Sequence, residues 1–455
     1  MLLSMLALVS AFSALPHAPA AHQPSRPHRD GVTTYQGTFS DGATWLIQVP
    51  SNWNGTFVLY SHGYVAPGQS NPALDVGDPV TGAYLLGAGY ALGGSSYATT
   101  GWAVQQAIPD QLEVLSTFQS VVGTPQRTIA WGHSLGGMIT AALVQQDPAD
   151  FTAALPMCGV VGGGVGIWNS SLDSAFAFNT LLASDQLQVV DITNPFQNFS
   201  NAEGYLETAQ ASPQGQARIA LAAALADIPG WYDTGYPPPP PTDYTDQEAN
   251  QYQWLSQVDF AFAFDFRAEL EGRAGGNPSF NTGIDYKRQL AKSADYAEVQ
   301  ALYSAAGLSL DADLQTLARA PRISADSSAL QYLIQNIIYD GKIAAPVLSL
   351  HTIGDGLVVN ENETAYSDVI HAAGDAALHR REFIYRAGHC AFTPAEQIAA
   401  FEALVQRVNT GTWGGLAPKT LNAVAEALGS AYNTLPPEFV QYESGKFLRT
   451  YDGTP

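Results

Sequence analysis

The sequence predicts an α/β chain, a mostly parallel sheet whose run of strands and helices is broken once by a long helical insertion. Three observations carry that expectation. Short apolar strands alternate with helix-length segments over residues 33–164 and again over 341–413, at the spacing of parallel βαβ units. Between them, residues 165–340 hold helical segments and no convincing series of buried strands. One of the strands runs through a Gly-x-Ser-x-Gly turn straight into a helix.

Composition sets the bounds. With 455 residues, 46% hydrophobic and 11% aromatic, the chain has material for a large core. At roughly 150 residues per domain this means two or three units, or one large domain carrying an insertion. The 19 Lys+Arg against 41 Asp+Glu give a net charge of −22, which argues against nucleic acid or an anionic membrane surface as partner. A charged fraction of 13% excludes a coiled coil or a salt-bridge-laced helical repeat. Two cysteines allow at most one disulfide and no cysteine-rich metal framework.

The elements follow in order. Residues 2–15 form an apolar run followed by Pro16 and Ala18-Pro19-Ala20-Ala21, so residues 1–21 read as a secretory signal peptide and the protein is expected outside the cell. The run is shorter than the roughly 20 residues that span a bilayer, and no later run reaches that length. Residues 22–32 read as a disordered polar leader. Strands at 34–39, 44–49 and 56–60 are separated by turn residues at 40–42 and 52–55, a hairpin leading into a buried strand. A Gly/Pro-rich loop covers 65–82, then come a strand at 90–94, a helix at 105–121, a strand at 128–131, a helix at 135–146 and a strand at 153–157. The insertion contains helices at 171–183, 212–226, 247–271, 286–306 and 326–338. Within the third, Phe260, Phe262, Phe264 and Phe266 alternate with period two, a pattern that a strand would also give. The five prolines at 237–241 form an extended surface segment. The α/β pattern returns with a strand at 345–352, a helix at 365–373, a strand at 382–385 and a helix at 394–408. A C-terminal extension, 414–455, holds a helix from 416 and a hairpin at 439–451 turning at Ser444-Gly445.

Gly132-His133-Ser134-Leu135-Gly136 carries most of the functional signal, because the motif gains its meaning from a strand before it and a helix after it. A tight strand-to-helix turn lifts the Ser134 hydroxyl above the sheet edge, and the flanking glycines avoid Cβ atoms where strand and helix approach. The first turn of the helix then directs its free N–H groups toward the hydroxyl. Here the chain resembles the α/β-hydrolase superfamily, over nearly its whole length outside the insertion and the C-terminal tail. The resemblance implies an α/β-hydrolase fold, Ser134 as nucleophile and the insertion as a cap or lid. It also implies that the strand ending Phe57-Val58-Leu59-Tyr60-Ser61-His62-Gly63-Tyr64 leads to an oxyanion hole, made by the backbone N–H groups of Leu135 and Tyr64, with Gly63 the less favoured second donor. Each such donor is worth roughly 3 to 4 kcal/mol in the transition state.

In this fold the order is Ser, acid, His. Asp355 sits on the turn after the strand at 346–352 and is the expected acid, with Asp340, Glu361 and Glu363 as competitors. Of the three histidines that follow, His371 and His379 read as surface residues, and His389 lies on a loop just past a strand end and before a helix opened by Thr393-Pro394 and Glu396. His389 is therefore the expected base. His133 is expected to be structural. Neither metal nor cofactor is expected, since the scattered His and Asp residues lack ligand spacing. Cys390 directly follows the base and Cys158 ends the strand beyond the nucleophile helix, so a disulfide pinning the base loop is expected. The leading expectation is a secreted serine esterase acting on a small-molecule or polymeric ester. A capped serine aminopeptidase, with Glu269, Glu271 or Asp265 receiving a substrate ammonium, is the runner-up. A non-catalytic binding protein on the same fold is the reading of another class.

Overall fold

β-branched and aromatic residues in short runs, set off by glycine and asparagine turns, build the sheet. The computed structural model describes residues 31–453, so the expected signal peptide at 1–21 and most of the leader at 22–32 lie outside the described residues. The first half of the sheet comprises β1 (Val32–Thr38), β2 (Thr44–Pro50), β3 (Thr56–Ser61), β4 (Ala91–Ser95), β5 (Arg127–His133) and β6 (Ala153–Met157). Interleaved with them are α1 (Pro79–Gly87), α2 (Val104–Val121) and α3 (Leu135–Gln146). The second half adds β7 (Val347–Gly354), α13 (Glu361–Ala373), β8 (His379–Ala387), α14 (Pro394–Thr410), α15 (Pro418–Ala427) and β9 (Phe439–Val440). Strand order is β1-β2-β4-β3-β5-β6-β7-β8-β9. Every neighbouring pair from β4 through β8 is parallel, and β1 with β2, β2 with β4, and β8 with β9 are antiparallel. This is the α/β-hydrolase fold. Parallel strands present their carboxyl ends on one edge, which is where β5, β7 and β8 deliver the residues discussed below.

Both faces of the sheet are covered, as a parallel sheet requires. Phe118, Ile139, Leu143 and Ile370 pack on one face and Leu85, Phe401, Leu404 and Leu421 on the other, all buried. Between β6 and β7 the chain forms α4 (Gly164–Leu182), α5 (Pro195–Gln210), α6 (Pro213–Ala224), α7 (Tyr244–Trp254), α8 (Arg267–Ala274), α9 (Tyr286–Leu290), α10 (Tyr296–Ala305), α11 (Leu310–Arg319) and α12 (Ser327–Asn336). These helices have a core of their own, in which Leu172, Phe178, Leu206, Leu221 and Leu317 are buried.

The alternating phenylalanines are helical, not extended. Two π-helical turns, Leu255–Asp259 and Phe262–Phe266, continue α7 toward α8. Residues two apart on a helix lie about 200° apart, so period two places the rings on opposite sides. Phe260 and Phe264 meet edge to face at 4.9 Å and pack on Phe178 in the insertion core, whereas Phe262 and Phe266 flank Tyr64 of the sheet domain.

Several local expectations change. The loop expected at 65–82 ends in α1, where Asp78 caps Val80 and Thr81 and Pro79 supplies a preset first turn. α5 and α11 were not legible as apolar repeats, yet Asn194-Pro195 and Ser309 are N-cap signals. The single helix expected at 286–306 is two, because the Ser293 hydroxyl takes the Asp295 N–H and Asp227 takes that of Ala294. The expected hairpin at 439–451 does not form. Its first strand adds to β8, and the chain then crosses to the insertion, where Arg449 bonds Asp173 at 2.8 Å and the Phe447 carbonyl accepts from Gln289.

Candidate active site

Ser134 sits at φ 59°, ψ −124°, a region that few non-glycine residues adopt. Its neighbours explain how the turn is held. A Cβ on Gly136 would run into the Ser61 carbonyl at the end of β3, and one on Gly132 into the Gly136 carbonyl. Leu135 opens α3, so its N–H has no intrahelical partner. Tyr64 lines the same cavity as Ser134 and Leu135. The loop that carries it is anchored by the buried His62, whose Nε2 is 3.0 Å from the Ser96 carbonyl and whose ring stacks on Tyr97 at 4.0 Å.

The structure brings Ser134, His389 and Asp355 into one chain of hydrogen bonds. His389 Nε2 lies 2.8 Å from Ser134 Oγ, and its Nδ1 lies 2.7 Å from Asp355 Oδ2. Asp355 is fully buried, and its Oδ1 accepts from the backbone of Leu357 (3.1 Å) and Val358 (3.0 Å). Burial by itself would raise this carboxyl. The charge of His389 and hydrogen bonds from His351 and His389 outweigh it and hold Asp355 well below the usual carboxylate range.

The His389 loop is fixed from three sides. Gly388 has φ 103°, which favours glycine, and it joins the end of β7 through its N–H to the Gly354 carbonyl and its own carbonyl to Thr352 Oγ1. Arg386, 2% exposed, donates to the Ala391 carbonyl and in a bidentate pair to Glu396 at 2.6 and 3.0 Å. Glu396 also closes the capping box on Thr393. Cys390 is bonded to Cys158 with Cα atoms 5.3 Å apart, tying the loop to the end of β6.

Other expected or competing residues lie elsewhere. Asp340 caps an exposed turn at Lys342. His371 is exposed on α13. His379, expected at the surface, is buried at 5% exposure, because β8 begins three residues earlier than its apolar run suggests and turns the ring inward against Ser349. Burial pushes His379 down to about 4. His133 faces Tyr60, with Oη 3.1 Å from Nδ1, and burial lowers it to about 4. Glu269 serves Arg273 and the Trp102 N–H, and Glu271 accepts from Ile192.

A cavity of about 340 Å³ opens onto Ser134 and His389. Its walls are mainly apolar, with Trp102, Ile167, Trp168, Leu255, Phe260 and Phe262 among the lining residues. Ser170, Ser171 and Ser174 on α4 and Asp259 on the first π turn add polar groups. Asp259 and His351 are the residues that sequence reasoning missed. Asp259 Oδ2 is buried without a hydrogen-bond partner, and burial, then the charge of Asp355, pushes this carboxyl well above its usual range. The sequence signal for His351 is a His-x-x-x-Asp spacing near the end of an apolar strand.

Known proteins resemble the chain at two levels. Residues 94–168, which include the Ser134 turn, match the prolyl oligopeptidase family. An o-phthalyl amidase from Xanthobacter agilis is 32% identical over 445 residues, covering 90% of this chain and 94% of the amidase. Among solved structures, an esterase from Aspergillus oryzae is 16% identical with a TM-score of 0.42, covering 84% of this chain and 81% of that one. A rice cell wall degrading esterase from Xanthomonas oryzae is 13% identical with a TM-score of 0.37, covering 83% and 89%.

Proposed function

This chain belongs to the family of the o-phthalyl amidase, within the serine hydrolases of the α/β-hydrolase fold, and from that premise we propose that it cleaves amides of compact aromatic carboxylic acids, and esters of the same acids, through an acyl-enzyme on Ser134. The observation that carries the reading is the hydrogen-bonded series Ser134–His389–Asp355 opening onto an aromatic-walled cavity. His389 takes the Ser134 proton as Oγ attacks the acyl carbon, and Asp355 fixes the imidazole with Nδ1–H inward and stabilises the imidazolium. The N–H groups of Leu135 and Tyr64 receive the oxyanion. As the intermediate collapses, the proton on His389 Nε2 passes to the leaving nitrogen or oxygen. Water, activated by the same imidazole, then attacks the acyl-enzyme and releases the acid.

Size and chemistry of the cavity support a flat apolar acyl group, and the amidase relative supports an amide bond. The aminopeptidase reading has less support, since two of its three candidate carboxylates, Glu269 and Glu271, are engaged with protein partners, which leaves Asp265 as the remaining candidate. Export is part of the proposal, and the disulfide at the His389 loop supports a compartment outside the reducing cytosol. The test compares p-nitroanilides and p-nitrophenyl esters of benzoic, 2-carboxybenzoic, acetic and octanoic acids, with Ser134→Ala beside the wild type. Aromatic acyl groups should be preferred in both series, with an acyl adduct on Ser134 by mass spectrometry. Turnover surviving in Ser134→Ala would sink the mechanism, and a preference for octanoyl would sink the substrate class.

A further inference from the structure

We propose that His351 is a positioning residue for the acid of the site: a buried imidazolium, clamped between Asp355 and Glu363, that holds Asp355 aimed at His389 and offsets part of its charge. The inference rests on the acyl-enzyme reading above.

His351 lies on β7, four residues before Asp355, and is fully buried. Its Nε2 is 2.7 Å from the Val358 carbonyl and 3.4 Å from Asp355 Oδ2. A carbonyl only accepts, so Nε2 carries a proton. Its Nδ1 is 3.0 Å from Glu363 Oε1, an acceptor when ionised, so the ring has acceptors at both nitrogens and a carboxylate on each side. Glu363 Oε2 in turn accepts from Ser349 Oγ, which lies 3.2 Å from His379 Nε2. The series that begins at Ser134 therefore continues through Asp355 into the interior. Asp355 Oδ2 is shared between His389 on the cavity side and His351 on the inner side.

The groups facing this pair are few. Glu361 on α13 feels the charge of His351, Asp259 of the insertion feels that of Asp355, and Tyr366 and His379 feel that of Glu363. Among the described residues no lysine or arginine forms an ion pair with Asp355 or Glu363. Burial alone would depress His351, but hydrogen bonds and charges from Asp355 and Glu363 outweigh it and raise the ring to about 10. A fixed cation there does two things. It keeps Asp355 ionised, and it weakens the hold of Asp355 on the protonated His389, which must give its proton to the leaving group.

The experiment measures kcat/KM against pH with a p-nitrophenyl ester for wild type, His351→Gln and the double variant His351→Gln/Glu363→Gln, which removes the carboxyl that the single variant strands without its His351 partner, should that variant fail to fold. Without the cation, the ionisation that limits kcat/KM on the acid side should move up by about one pH unit, the size expected for a charge one residue away in protein-like dielectric. kcat should fall about tenfold with KM little changed. An acid limb that stays within about 0.2 unit, with only stability lost, overturns the proposal. Independently, ¹⁵N spectra of ring-labelled wild type should show both His351 nitrogens protonated from pH 6 to 9, and a neutral ring overturns it. Ser134→Ala separates the two readings. If that variant is inactive and the limb does not move, only the role of His351 fails; if it is active, the acyl-enzyme fails and the spectra still decide the charge of His351.

Discussion

Replacing Cys158 and Cys390 together by alanine removes a covalent tie across 232 residues, the whole insertion included. In the chain-entropy description the denatured chain regains about 2.1 + 1.5R ln 232 cal/mol/K, or about 5.5 kcal/mol at 25 °C. That is an upper figure, because a denatured loop containing ten helical segments retains some compactness, and about 3 to 5 kcal/mol is expected. The rate should suffer separately. Cys390 follows His389 directly, holds φ 55°, and places Sγ 3.4 Å from Nε2, so the bridge sets where the imidazole stands relative to Ser134. Freed of it, the loop keeps its Gly388 and Arg386 anchors, and kcat should fall about tenfold rather than vanish, since a displacement of about 1 Å can cost up to a hundredfold. Guanidinium unfolding followed by tryptophan fluorescence gives the first number and steady-state kinetics on a p-nitrophenyl ester the second. A loss of stability under about 1 kcal/mol together with an unchanged kcat would refute the reasoning.

Three further outcomes are expected. His389→Ala and Asp355→Asn should each reduce kcat by about 10⁴ without altering the far-ultraviolet circular dichroism, and a tenfold effect or less would remove either residue from the mechanism. Arg386→Met leaves Glu396 buried without its counter-ion and the Ala391 carbonyl without a donor, at a cost of about 3 to 5 kcal/mol; the double variant Arg386→Met/Glu396→Leu should recover most of it, and equal losses in both would show that the charge pair is not the cause. Asp295, Glu298 and Glu361 are raised by burial and then by neighbouring carboxyls. A raised folded-state value means stability that is complete below the unfolded carboxyl range near 4 and is lost as pH rises through the folded values. The buried His62, His133 and His379 are lowered and act in the opposite sense, through the range below about 6.5. Between pH 7 and 9 the raised carboxyls act together with His351, whose raised value works in the same direction, so Tm should fall, and a Tm that rises across that window contradicts the assignment.

Strand β5, the Ser134 turn and α3 were legible because each rule is local: an apolar strand, glycines where no Cβ fits, a helix of apolar spacing. Asp355 and His389 were legible at one remove, as residues just beyond strand ends in a fold whose parallel strands end on one edge. Helices α5 and α11 were not, because their buried faces are thin; α11 buries only Leu314 and Leu317, and its N-cap serine is a weaker signal than a stripe. The phenylalanines at 260–266 lie in the helix expected at 247–271, although their period two would also suit a strand. Two opposite helix sides, each with an apolar neighbour, reproduce the alternation of a strand, and only the presence of the insertion core on one side and Tyr64 on the other decides between them.

The sequence by itself determined the sheet type and the turn that presents Ser134, since these follow from steric rules among residues adjacent in the chain, and the resemblance to the α/β-hydrolases supplied the chain order in which Asp355 and His389 were expected. Tertiary structure alone decided what surrounds them. His379 went inside, the tail crossed to the insertion, Asp259 came to face the cavity, and His351 and Glu363 lined up behind Asp355. Each of these depends on which distant segments share a dielectric environment and a set of hydrogen-bond partners. A buried charge is tolerated only where its counter-charge arrives from elsewhere in the chain, and linear spacing carries no record of that arrival.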